Sequence, residues 1–220
     1  MTKGYMRNTL KICSIHKSAT VLQSQLYHYI NIKLEYDGIV FNRLAPKSSL
    51  SDVDLIIIRH PLNKLISQYY SFGWTHPTSM GGADFAKERE RIRSQTLDEY
   101  IIRLRQQHGL VRMYENAYLF PDKILKYESI MDNPREFILL ILRRLEAEYL
   151  FDDVWQAWGA HFAFNSPDLS DSIINDDLIT HRRNLDHDEY KKKLSPDTIS
   201  SLSPAMADII YKYEYESFGS

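Results

Sequence analysis

The run Leu55-Ile56-Ile57-Ile58 is the segment that most restricts how this chain folds. Four consecutive aliphatic residues with no polar alternation leave no face for water. With Asp54 ahead of them they read as a strand, Asp54 to Ile58, covered on both sides, which is the condition of a strand inside a parallel sheet. Parallel strands need crossover connections of a dozen or more residues, usually helices. The rest of the sequence supplies both parts. Leu10 to Ile15 is a second short apolar strand, Gly38 to Phe41 a third after an Asp-Gly break, and Lys123 to Tyr127 a fourth.

Between the strands lie helix signals. Thr20 to Leu34 carries a buried stripe of Val21, Leu22, Gln25, Leu26, Tyr29 and Ile30. Pro61 opens a helix from Leu62 to Phe72, its ring in the tolerated first turn. Phe72 to Arg93 holds Gly73, Pro77, Gly81 and Gly82 and then a charge run from Lys87, so it reads as a loop leading into a polar helix. Thr96 to Glu99 is a capping box that starts a helix reaching about Gln107, and Asn133 to Glu136 is a second such signature before Phe137 to Leu145. Ser195-Pro196 and Ser203-Pro204 open two final helical segments. The expectation is an α/β fold: one domain over residues 1–220 with a parallel sheet flanked by helices on both faces.

At 220 residues, 44% hydrophobic and 25% charged, the chain has enough apolar material for a core without staples. The formal net charge of -2 gives no global reason to expect nucleic acid, so any anion site is local. Cys13 is the single cysteine; it excludes an intramolecular disulfide, fits a reducing compartment, and sits in an apolar run where it reads as core packing. The segment Met1 to Leu10 lacks a signal-peptide pattern, and the apolar run Phe137 to Leu142 stops at Arg143 and Arg144. These features suggest a soluble, cytoplasmic protein without a membrane span.

The chemistry is concentrated after the strands. Ser14-Ile15-His16-Lys17-Ser18-Ala19-Thr20 runs from a strand through a lysine-bearing loop into a helix start. Unpaired backbone N–H groups, the helix dipole and a full lysine charge together make an anion cradle there. Arg59 follows the aliphatic strand, and Ser67 lies about two helical turns on. A guanidinium fork matches a phosphate, and a hydroxyl can donate beside it. In open α/β sheets ligands bind at the carboxyl ends of the strands, so His16–Thr20, Arg59 and the segment after Tyr127 are expected along one edge. Read singly, each also has an ordinary role: a sheet-edge ion pair for Arg59, a core aromatic for Tyr127, an exposed basic pair for Arg182 and Arg183.

Taken together these segments resemble the sulfotransferases that use 3′-phosphoadenosine 5′-phosphosulfate (PAPS). His16-Lys17-Ser18-Ala19-Thr20 is similar to the family's 5′-phosphosulfate loop, and Arg59-His60-Pro61 through Ser67-Gln68-Tyr69-Tyr70-Ser71-Phe72 to its 3′-phosphate motif. Lys126-Tyr127-Glu128-Ser129-Ile130 with Asn133-Pro134 resembles a third family stretch, and Arg182-Arg183-Asn184 with Lys191 to Pro196 the C-terminal one. The resemblance implies a P-loop-like fold and PAPS as co-substrate, with no metal. It implies that Lys17 contacts the 5′-phosphate and the bridging oxygen, where it would act as a catalyst. Ser18, Ala19, Thr20 and Val21 would donate to the phosphosulfate. Arg59 and Ser67 would hold the 3′-phosphate, helped by Arg182 and Arg183, and Tyr127 would lie by the adenine. The implied partner is a small-molecule or glycan acceptor bearing a hydroxyl or amine, not nucleic acid.

The pattern departs from the family at four places. Ala19 and Asn184 stand where glycine is usual, and Leu22 where a tryptophan is common. Many relatives take the acceptor's proton with a histidine just after the second strand; here Arg43 holds that place, and an arginine is no base near neutral pH. Asp37, Glu35, His16, His28 and His76 remain candidates. A catalytically impaired, sulfotransferase-like nucleotide-binding protein is therefore an alternative. A P-loop nucleotide kinase is a weaker one, since Gly-x-x-x-x-Gly-Lys-Ser/Thr is absent and Arg59, not an aspartate, ends the Leu55–Ile58 strand.

Overall fold

The structure, a computed structural model, describes residues 8–15, 20–45, 49–75, 82–104, 108–159, 188–213 and 215. In chain order these form β1 (Leu10–Ile15), α1 (Thr20–Leu34), β2 (Ile39–Leu44), β3 (Leu55–Ile58), α2 (Pro61–Tyr70), α3 (Gly82–Arg93), α4 (Leu97–Leu104), α5 (His108–Tyr118), β4 (Ile124–Lys126), α6 (Tyr127–Asp132), α7 (Pro134–Arg144), α8 (Phe151–Ala157), α9 (Glu189–Lys193), α10 (Pro196–Ser200) and α11 (Pro204–Lys212). The chain divides into two compact units, Met1–Arg59 with Met113–Ala163, and His60–Arg112 with Phe164–Ser220.

The first unit carries the sheet. Its strands pair in parallel in the order β2-β1-β3-β4, with Leu10 opposite Ile39, Ile15 opposite Leu44, Ser14 opposite Ile57, and Ile58 opposite Lys126. All four side chains of β3 are buried. Successive strand residues point to opposite faces, so both faces are covered there, as the unbroken aliphatic run requires. β2 was expected to end at Phe41 but continues to Leu44, because Asn42 and Arg43 pair with Cys13 and Ser14. Backbone pairing to β1 extends it where its own polarity would have stopped it. At the other edge Tyr127 does not close the fourth strand; it opens α6.

α1 spans the expected residues and is the crossover from β1 to β2. Leu26 and Ile30 are buried as the stripe predicts, but Gln25 is exposed and Tyr29 half-buried. Gln23 and Tyr27 take their places, and the Tyr27 ring meets Phe41 edge-on at 5.2 Å. The side chains of Val21 and Leu22 lie outside the described set. α1 is followed by Glu35 in the left-handed region, at φ 58°. α7 starts with Asn133 Oδ1 accepting from the Glu136 N–H, as its signature predicts, and buries Phe137, Ile138, Ile141 and Leu142. It is followed by Glu146 at φ 54°, where the Ala147 N–H donates to Leu142 O at 2.8 Å in a Schellman-type turn.

The second unit is helical among its described residues. α2 ends at Tyr70 and the chain continues as a wide π turn, Ser71–Thr75, in place of a loop. The run read as a polar face does structural work here. Arg89 is buried and its Nε donates to Phe72 O at 3.1 Å, while Arg93 Nε donates to Gly73 O at 2.6 Å. α4 begins with the expected capping box: the Glu99 N–H donates to Thr96 Oγ1 and the Thr96 N–H to Glu99 Oε2. It is described as far as Leu104, and the expected remainder, 105–107, lies outside the described residues. Asp98 accepts from the N–H and Oγ of Ser195, tying α4 to the start of α10. Ser195 and Ser203 cap α10 and α11 as their Ser-Pro signatures predict.

Candidate functional site

The strand order places a topological switch in the first unit. From β1 the chain crosses through α1 to β2 on one side, while β3 pairs with β1 on the other. Connections therefore leave β1 and β3 in opposite directions, and the carboxyl ends at such a switch point are where open α/β sheets bind ligands. The register aligns those ends: Ser14 is opposite Ile57 and Ile58 opposite Lys126, so the residues that follow β1, β3 and β4 share one edge.

Arg59 is the first residue after β3 at that edge, 8% exposed, and the Tyr114 hydroxyl donates to its carbonyl oxygen at 2.5 Å. Tyr127, the first residue after β4, is 6% exposed. The Arg59 guanidinium carbon stands 4.8 Å from the Tyr127 ring centroid, a cation–π contact that orients the planar fork. Thr20, buried, is the first residue of the fifteen-residue helix α1, and Val21 the second, so the start of that helix belongs to the connection that follows β1. Lys17, Ser18, Ala19 and His16 lie outside the described residues, as do Arg182, Arg183 and His76.

Ser67 stands on α2, half-buried, in the second unit, while Arg59 belongs to the first. Two candidate bases are misplaced for work at the carboxyl edge. α1 leaves that edge and runs about 22 Å over its fifteen residues. Glu35 and Asp37 follow it and precede β2, whose first residue pairs with Leu10, so both stand at the amino-terminal edge. His28 is exposed on α1, about 12 Å along the axis from Thr20. Arg43, in the place of the expected histidine, is exposed on edge strand β2.

Two residues escaped the sequence reading. Tyr114 is fully buried and fixes the backbone at Arg59, but it lies on α5, a helix the sequence did not announce. Lys64 is buried on α2 and its ammonium donates to Gln68 Oε1 at 2.6 Å. Burial pushes that ammonium down to about 8. The available signal was its setting: a lysine within Leu62, Leu65 and Ile66, on the stripe of the helix that must be covered. Cys13 is buried on β1 as expected, and burial pushes its thiol up to about 11. Among the described residues, no cluster of His, Cys, Asp and Glu is arranged to hold a metal, and no helix is long and apolar enough to cross a membrane.

No family model and no curated protein sequence matches the chain. Among solved structures it is similar to the mouse sulfotransferase SULT7A1 complexed with PAP, at 11% identity and a TM-score of 0.48, over 96% of this chain and 85% of that one. A likeness at that identity assigns no residue a role. Its own strands and helices make the chain an α/β protein whose parallel sheet, flanked by helices, gathers Thr20, Arg59 and Tyr127 along its carboxyl edge.

Proposed function

We propose that this chain is a sulfotransferase that moves a sulfuryl group from PAPS to a hydroxyl or amine of a small-molecule or glycan acceptor. The observation that carries the reading is Arg59, held over the Tyr127 ring at the carboxyl end of β3, beside the β1/β3 switch point. A planar fork of donors at a sheet edge suits a phosphate, and an aromatic face beside it suits a base. The four motifs of the sequence supply the rest: Lys17, Ser18, Ala19, Thr20 and Val21 for the phosphosulfate, Ser67, Arg182 and Arg183 with Arg59 for the 3′-phosphate.

In the reaction the bond from sulfur to the 5′-phosphate oxygen breaks and its electron pair stays on the phosphate. The acceptor oxygen or nitrogen forms the new bond to sulfur and gives up its proton. Negative charge develops on the departing oxygen, where the Lys17 ammonium stabilises it. Binding both phosphates fixes the donor for in-line attack, so positioning and electrostatics supply most of the acceleration. The test is a thermal-shift comparison of adenosine 3′,5′-bisphosphate with ATP–Mg²⁺, followed by mass spectrometry of candidate acceptors incubated with PAPS. The bisphosphate raises the Tm by mass action and ATP–Mg²⁺ does not. Lys17→Ala abolishes transfer; unchanged turnover in that variant sinks the mechanism.

One observation favours a second reading, a nucleotide-binding protein without turnover. Arg43 holds the place of the family's base, and Glu35 and Asp37 stand at the far edge of the sheet. Full bisphosphate binding with no sulfated product from any acceptor in the screen would select this reading over the first.

A further inference from the structure

Lysine is almost never buried without a charged partner. Lys64 is 7% exposed, in the middle of α2 between Asn63 and Leu65, both also buried. Among the described residues its ammonium has one hydrogen-bond partner, the neutral Gln68 Oε1 at 2.6 Å, and no carboxylate within ion-pair distance. An ammonium has three donors and a full charge, so two donors and the charge itself are unanswered. Burying a cation in this way is unfavourable unless an anion arrives to offset it.

The helix shows where the anion would come from. Lys64 and Ser67 are three residues apart on α2, and Lys64 and Gln68 four, so all three side chains share one face with Cβ atoms about 5–6 Å apart. Along that face exposure rises from buried Lys64 to half-buried Ser67 and Gln68. A ligand held by the Ser67 hydroxyl therefore lies within reach of an extended lysine side chain from the preceding turn.

We propose that Lys64 is an additional ligand of the 3′-phosphate, supplying from inside α2 the charge that the Ser67 hydroxyl lacks, with Gln68 holding the ammonium in place until the phosphate binds. This rests on the PAPS reading above, which assigns Ser67 to that phosphate. Lys64 then acts on affinity and on discrimination: it rewards nucleotides carrying a 3′-phosphate over those carrying only a 5′-phosphate.

The test compares adenosine 3′,5′-bisphosphate with adenosine 5′-monophosphate by isothermal titration calorimetry, in the full chain and in Lys64→Met. The preference of the wild type for the bisphosphate falls about tenfold or more in the variant, the scale of one charge-assisted hydrogen bond, while affinity for the monophosphate is unchanged. Lys64→Arg retains the preference. Should Lys64→Met fail to fold, judged by circular dichroism, Lys64→Gln carries the same comparison. A variant that keeps the full preference overturns this role for Lys64 and leaves the PAPS reading standing. A wild type that binds the two nucleotides equally overturns both, because no 3′-phosphate subsite then exists.

Discussion

The Arg59 guanidinium lies 4.8 Å from the centroid of the Tyr127 ring, joining the residues that follow β3 and β4 at one edge of the sheet. The aromatic contact fixes the plane of the guanidinium, whose fork of donors matches two oxygens of a phosphate. Arg59→Lys keeps the charge but loses both the fork and the flat contact. It weakens binding of adenosine 3′,5′-bisphosphate at least about tenfold by calorimetry, while the unliganded Tm falls by only the few degrees that about 0.5–1 kcal/mol of cation–π contact represents. Equal affinity in wild type and variant would remove Arg59 from the site.

Much of that edge was legible in the sequence, because β3 is written as pure aliphatic pattern and each connection begins with a recognisable chemical group. Helix starts were equally legible: Thr96, Asn133, Ser195 and Ser203 cap where they were expected, since capping is a local bond between neighbours. What the pattern hid depends on distant partners. Asn42 and Arg43 became strand only through pairing with β1, and Arg89 turned inward to donate to Phe72 O, seventeen residues away. Glu35 and Asp37 looked available as bases until the direction of α1 set them at the opposite edge.

Glu35 and Glu146 hold positive φ values of 58° and 54° after helices α1 and α7, positions where a side chain crowds its own backbone. Glycine removes that strain. Glu35→Gly raises stability by about 0.5–1 kcal/mol in urea denaturation. Glu146→Gly gains less, because Glu146 Oε1 accepts a 2.9 Å bond from Asn8 Nδ2 that the variant loses. Because Glu35 stands at the amino-terminal edge, Glu35→Gly also leaves bisphosphate affinity unchanged. A loss of stability in both variants would contradict the backbone argument.

Cys13 is buried on β1 with its thiol pushed up to about 11 by desolvation, so at pH 7 to 8 it is neither exposed nor ionised. A thiol-specific chromogenic reagent leaves the native protein unlabelled and reacts with one equivalent in denaturant. Rapid labelling of the native protein would show that the strand opens far more readily than its packing implies.

Lys64 also makes a stability argument that needs no ligand. Its ammonium titrates near 10.5 when unfolded and is pushed down to about 8 by burial in the fold. Below pH 8 both states carry the proton, and the folded state bears the full unfavourable effect of a buried charge. Between 8 and 10.5 the unfolded chain holds a proton that the folded chain has shed, so stability rises with pH across that window. Lys64→Met removes the charge, and at pH 7 the variant is more stable than the wild type by about 1–3 kcal/mol, after allowing for the lost bond to Gln68. The gap narrows as pH climbs from 8 to 10. Tyr27 and Tyr100, whose phenols burial holds above their ordinary value of 10.0, lower stability as pH rises past that value, and they do so in wild type and variant alike, so they cancel from the gap. Urea denaturation at pH 7, 8, 9 and 10 reads the gap directly. A difference that stays constant across the series would mean that the Lys64 ammonium is no worse placed in the fold than in water.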